Sequence, residues 1–148
     1  MTPDPGRWQQ LIDAALPVGV TVETLAELPL APEPSNVALA RRFVLDLVPD
    51  ADADCRDSLS LLTSELATNA VVHARTQLRV VVLLADGEAV VGIHDLDLGR
   101  REIVTHDRDG GRGLQIIDTL ASAHGRTGYP TGGKVMWFRL PLTLAEAS

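Results

Sequence analysis

Three side chains in the segment SELATNAVVHA, Ser64–Ala74, could do chemistry together: Glu65, Asn69 and His73 recur every four residues. On a helix each step of four turns the side chain by about 40°, so the three form one short column. Their neighbours are mostly apolar: Leu61 and Val72 border the column on one side, Leu66 and Ala70 on the other. One reading is a solvated strip on an amphipathic helix. The other is the wall of a cleft. There the neutral oxygen of Asn69 suits Mg²⁺, which keeps several waters and takes further ligands from substrate phosphates. Glu65, one turn away, suits a general base that takes a proton from a water or a hydroxyl. His73 fits a structural histidine that hydrogen-bonds a neighbouring element.

Two further groups could complete a site. Asp95 ends the strand-like run VVGIHD. It serves either as a turn former or as a carboxylate beside an apolar pocket, accepting a hydrogen bond from an exocyclic amine such as that of adenine. The segment DGGRGLQII, Asp109–Ile117, leads glycine-rich backbone into a helix. Such a start presents free N–H groups to an anion, although glycines there also serve tight turns.

The elements that must position these groups follow from periodicity and punctuation. Trp8, Leu11, Ile12, Ala15 and Leu16 have helical spacing; Val20–Leu30 reads as a first strand. Ser35 is placed to N-cap a helix through Val48, which Pro49 ends. The acidic loop DADAD, Asp50–Asp54, can cap the next helix, about Asp54 to His73, which carries the column. Leu78–Leu84 and Ala89–His94 are strands joined by Asp86-Gly87, a hairpin signal. Leu96–Gly110 is a long polar loop, a candidate lid. A helix with Leu114, Ile117, Leu120 and Ala121 on its buried side follows, then a glycine-rich turn region, Gly125–Gly133, and a last strand, Lys134–Leu140. This order predicts an α/β (α+β) two-layer sandwich: a mixed, mostly antiparallel sheet covered on one face by helices.

Composition narrows the function classes. The 148 residues are 45% hydrophobic, 3% aromatic and 22% charged, which fits one soluble domain with an aliphatic core. A net charge of -7 with scattered arginines argues against direct nucleic-acid binding or an anionic membrane as partner. The single cysteine, Cys55, excludes an internal disulfide. The N-terminus lacks a basic segment followed by an apolar run, and no apolar stretch approaches a membrane span, so a cytoplasmic location is expected. Residues 1–25 stand out as an N-terminal extension before a domain of residues 26–148. Their role is open between covering a sheet edge and contacting a partner.

The combination of motifs is more specific than any one of them. In order, it resembles the ATP-binding domain of histidine kinases, gyrase-type ATPases, the heat-shock chaperone and mismatch-repair ATPases, the Bergerat fold. Within that superfamily it resembles small stand-alone bacterial anti-sigma factors with serine/threonine kinase activity. The resemblance covers about Leu30–Leu142 and rests on ARRFV at Ala40–Val44, SELATNAVVHA, GGRGLQIID and GKVMWFRL. It implies that Asn69 holds Mg²⁺ on ATP phosphates, that Glu65 is the catalytic base toward a substrate hydroxyl, and that Asp95 binds the adenine amine. It implies that the backbone of Gly111, Arg112, Gly113 and Leu114 cradles phosphate. The implied partners are a sigma factor and an anti-anti-sigma antagonist, and the resemblance allows a homodimer. Two positions depart from the superfamily pattern: Asp95-Leu96-Asp97 replaces a common Asp-x-Gly, and KVMWFRL has no counterpart of a late-strand threonine near the adenine.

Two functions are therefore expected to compete. One is an anti-sigma factor that phosphorylates its antagonist. The other is a degenerate domain of the same fold that regulates by protein binding, with weak or no nucleotide turnover.

Overall fold

The computed structural model describes residues 5–73, 77–95, 115–128 and 133–146. A 3₁₀ turn, Pro5–Trp8, leads into α1, Gln9–Ala15; β1 is Thr24–Leu30, α2 Asn36–Asp46 and α3 Ala53–His73. The strands β2, Leu78–Ala85, and β3, Glu88–Asp95, form the hairpin, and β4, Ala123–Gly128, and β5, Lys134–Pro141, follow. Residues 115–120 are helical. The described strands form one sheet in the order β1-β2-β3-β5-β4, every pairing antiparallel. The expected α/β sandwich is present; its sheet, expected to be mixed, mostly antiparallel and covered on one face, has only antiparallel pairings among the described strands and carries packed side chains on both faces.

Strand alternation divides the side chains into two cores. Val80 and Val82 of β2, Val91 and Ile93 of β3, and Phe138 and Leu140 of β5 meet Ala40 and Val44 of α2 and Leu59, Leu62 and Leu66 of α3. The residues between them face the other way: Val81, Leu83, Val90, Val135 and Trp137 pack against Trp8, Leu11, Ala15 and Leu16. The N-terminal segment thus covers a second sheet face, where the sequence left only an edge or a partner in view. Trp8 is fully buried and donates its indole N–H to Glu27 Oε2 at 3.0 Å; Glu27 also meets Arg79 at 2.9 Å.

Local chemistry explains the ends of the elements. Asp86 and Gly87 both have positive φ, 52° and 76°, as a two-residue hairpin of this twist requires. Asp52 caps α3: its Oδ1 accepts the Cys55 N–H at 2.8 Å. Arg56 then donates to the carbonyls of Leu45 and Val48, which also accept the backbone N–H groups of Val48 and Ala51, and so ties the start of α3 to the turn that ends α2. Asp52→Ala should cost about 0.5–2 kcal/mol, read as a lower urea midpoint with unchanged slope. A slope change would mean that the helix start has unravelled rather than lost one bond.

Two local expectations are corrected. Ser35 precedes α2 but makes no side-chain cap, because its φ of -64° and ψ of -20° are already helical. A capping side chain needs an extended backbone at that position. Part of the supposed turn region, Gly125–Gly133, is strand β4. Gly125 is there for packing: a Cβ would come within 2.9 Å of the Trp137 indole.

Candidate functional site

The column on α3 lies on the border between core and solvent. Leu59, Leu62, Leu66 and Ala67 are buried toward the sheet, whereas Leu61, Thr68 and Val72 are exposed. Glu65 and Asn69 are half-buried between these faces, and His73 is exposed as the last residue of α3. Leu61 and Val72, which border the column, are exposed despite their apolar character. His73, expected to be tied to a neighbouring element, sits past the part of α3 that packs on the sheet.

The turn of about 40° from Glu65 to Asn69 brings the amide toward the sheet. Asn69 Nδ2 lies 3.6 Å from Met136 Sδ on β5. Thioether sulfur is a weak acceptor, so the contact orients the amide more than it stabilises the fold. With the nitrogen on the sulfur, the carbonyl oxygen is the end left for a hard cation.

Met136 pairs with Ile93, and two residues further along the same strands Lys134 pairs with Asp95. That step is about 7 Å along the sheet and keeps the side chains on one face. Asp95, Ile93, Met136 and Lys134 thus share the α3 face. Lys134 Nζ stands 3.8 Å from Asp95 Oδ2, with the two side chains 31% and 14% exposed. Gly133 makes this pairing possible. Its φ is 81°, and a Cβ there would run into the Asp95 carbonyl oxygen. On the reverse face the preceding residue, His94, is buried with its ring 5.6 Å from that of Trp8, edge to face.

The structure therefore brings Asn69 and Asp95 to the same end of the sheet, with Glu65 one turn back on α3. Gly111, Arg112, Gly113 and Leu114, and the loop Leu96–Gly110, lie outside the described residues. Just after them Ile117 is buried in the main core, whereas Leu120, expected on the buried side, is exposed. Among the described residues no group of three or more His, Cys, Asp or Glu side chains could hold a metal ion. The neutral amide oxygen of Asn69 suits Mg²⁺, which binds through one or two protein oxygens and completes its shell with water and phosphate.

Gly133, Lys134 and Met136 belong to the GKVMWFRL motif, but nothing local in the sequence marks them as site residues. The only signal was the Gly-Lys at the start of the last strand, and it means nothing until that strand is paired with β3.

A family model described as a histidine kinase-like ATPase domain matches residues 30–140. The chain belongs to that family. A search of curated proteins returned no match. The matched region runs from the end of β1 to the last strand and includes every candidate residue above. A histidine kinase-like ATPase domain binds ATP, typically with Mg²⁺, and the residues present fit this. Asn69 offers an oxygen of the right hardness, held from behind by Met136. Asp95 is a half-buried carboxylate at a strand end on the same face. The N-terminal 29 residues fall outside the match, yet Trp8 and Leu11 fill the far face of the same sheet. Among the described residues no helix is long and apolar enough to cross a membrane.

Proposed function

We propose that the chain is an ATP-binding anti-sigma regulatory factor with serine/threonine kinase activity. Its substrate would be an anti-anti-sigma antagonist, and it would act by partner switching. The supporting observation is the arrangement on α3. Glu65 and Asn69 stand one turn apart at its margin, and Asn69 rests on Met136, two residues along β5 from the Asp95–Lys134 pair. In this reading Asp95 accepts from the adenine amine and the Asn69 oxygen holds Mg²⁺. The backbone of Gly111–Leu114 cradles phosphate. The serine or threonine oxygen takes the γ-phosphoryl group of ATP as the bond from the γ-phosphorus to the bridging oxygen breaks and ADP leaves; Mg²⁺ would offset the charge of the phosphate oxygens. Glu65 accepts the proton of a serine or threonine hydroxyl on the antagonist. The phosphate so added introduces charge at the antagonist's binding surface and blocks its return.

The test is calorimetric titration of ATP, with and without Mg²⁺, into wild type and Asn69→Ala. Wild type should bind ATP in a Mg²⁺-dependent manner. Asn69→Ala should weaken that binding by at least about tenfold, since even second-shell changes cost metal sites that much. Absence of wild-type binding at millimolar ATP would sink the kinase reading and leave a nucleotide-independent protein-binding regulator.

A further inference from the structure

Lys134 is the only lysine of the chain, and the sheet sets it directly opposite Asp95. Taken as structure alone, the pair is a partly exposed ion pair that ties β3 to β5, of a kind that contributes little to stability. Its position points to more. The ammonium and the carboxylate emerge on the α3 face, one pleat repeat beyond the Ile93–Met136 pair against which Asn69 is held. Gly133 keeps that register by letting the backbone approach the Asp95 carbonyl.

We propose that Lys134 is a base-recognition residue, working as a unit with Asp95; this rests on the assignment of Asp95 to the adenine amine. A carboxylate has about four lone-pair sites, so Asp95 can keep its ion pair with Lys134, at 3.8 Å, while it accepts a hydrogen bond from a ligand amine. An ammonium has three donors, so Lys134 can serve Asp95 and one further acceptor. The two side chains present an acceptor and a donor side by side. The six-membered ring of adenine presents the complement along one edge: the exocyclic amine as donor and the adjacent ring nitrogen N1 as acceptor. Lys134 donates to N1 while Asp95 accepts from the amine. No bond is made or broken.

The test compares ATP, 7-deaza-ATP and 1-deaza-ATP, the last lacking the N1 acceptor, in Mg²⁺-containing titrations of wild type, Lys134→Met and Asp95→Asn. Wild type should bind 7-deaza-ATP like ATP and 1-deaza-ATP about tenfold more weakly, the loss of one hydrogen bond to a charged donor. Lys134→Met should bind ATP and 1-deaza-ATP alike. Wild-type protein gives a second readout that needs no variant. ATP should slow acetylation of the Lys134 amine, followed by mass spectrometry, and 1-deaza-ATP at the same concentration should slow it less.

A pair that only ties the strands together would leave wild type indifferent to N1 and the acetylation rate unmoved by ATP. Such indifference, with ATP bound and its binding weakened by Asp95→Asn, overturns the role of Lys134 and leaves that of Asp95 standing. If wild type binds no ATP, or Asp95→Asn binds it unchanged, the adenine assignment falls and the role of Lys134 falls with it.

Discussion

Glu65→Gln should lower phosphotransfer to a serine or threonine of the antagonist by about 10²–10⁴-fold, the range lost when a positioned general base is removed. It should leave Mg²⁺-dependent ATP binding within about twofold of wild type. The substitution is nearly isosteric, and Glu65 is half-buried at the margin of α3 rather than in the core, so the helix should be undisturbed. Single-turnover transfer of labelled phosphate, run beside calorimetry on the same samples, separates the two quantities. Equal transfer rates in variant and wild type would remove Glu65 from the chemistry. Parallel loss of binding and transfer would make it a ligand-binding residue instead. Asn69→Ala differs in kind, because it should lose binding first and transfer only as a consequence.

Trp8→Ala should destabilise the whole domain by about 3–5 kcal/mol, the usual cost of truncating a buried tryptophan. Trp8 is fully buried and helps cover Val81, Leu83, Val90 and Val135 on the far sheet face. Against a typical domain stability of about 5–15 kcal/mol, that loss is a large fraction. Apolar packing and a hydrogen bond both contribute, and Trp8→Phe separates them. It keeps most of the apolar volume but removes the indole N–H that bonds Glu27. Loss of that bond should cost about 1.5–3 kcal/mol, the range for a hydrogen bond to a charged group, with Arg79 still satisfying the carboxylate. The alanine variant loses the packing as well and should be the less stable of the two. Urea denaturation followed by circular dichroism measures both. If Trp8→Ala costs under about 1 kcal/mol, the N-terminal segment is an appendage and not part of the cooperative unit. If the cost is as expected, the variant also bares a continuous apolar sheet face and should self-associate at high concentration.

What the amino-acid order settled by itself was local. Helical spacing of Glu65 and Asn69, the Asp86-Gly87 hairpin and an acidic cap within Asp50–Asp54 depend on residues within a turn or two of each other. Their periods and dihedral needs can be read directly. The order of motifs also placed the chain in its family. Where locality ended, reading failed. Gly125 looked like a turn residue because a glycine requirement set by the distant Trp137 indole leaves no trace in its neighbours. Ser35 has the right side chain for a cap, but the backbone at its position is already helical. Leu61 and Val72 are as apolar as Leu62 and Leu66, and only the direction in which the sheet lies makes one pair exposed and the other buried.

The tertiary structure alone decided the composition of the site. Asn69 meets Met136, and Asp95 meets Lys134, because β3 pairs with β5 across the whole intervening segment in one register. A slip of one residue would turn Lys134 and Met136 to the opposite face. That register is set by Ile93 and Phe138 entering one core while Val90, Val135 and Trp137 enter the other. Burial on both faces at once is a property of the packed sheet, and no single strand carries it.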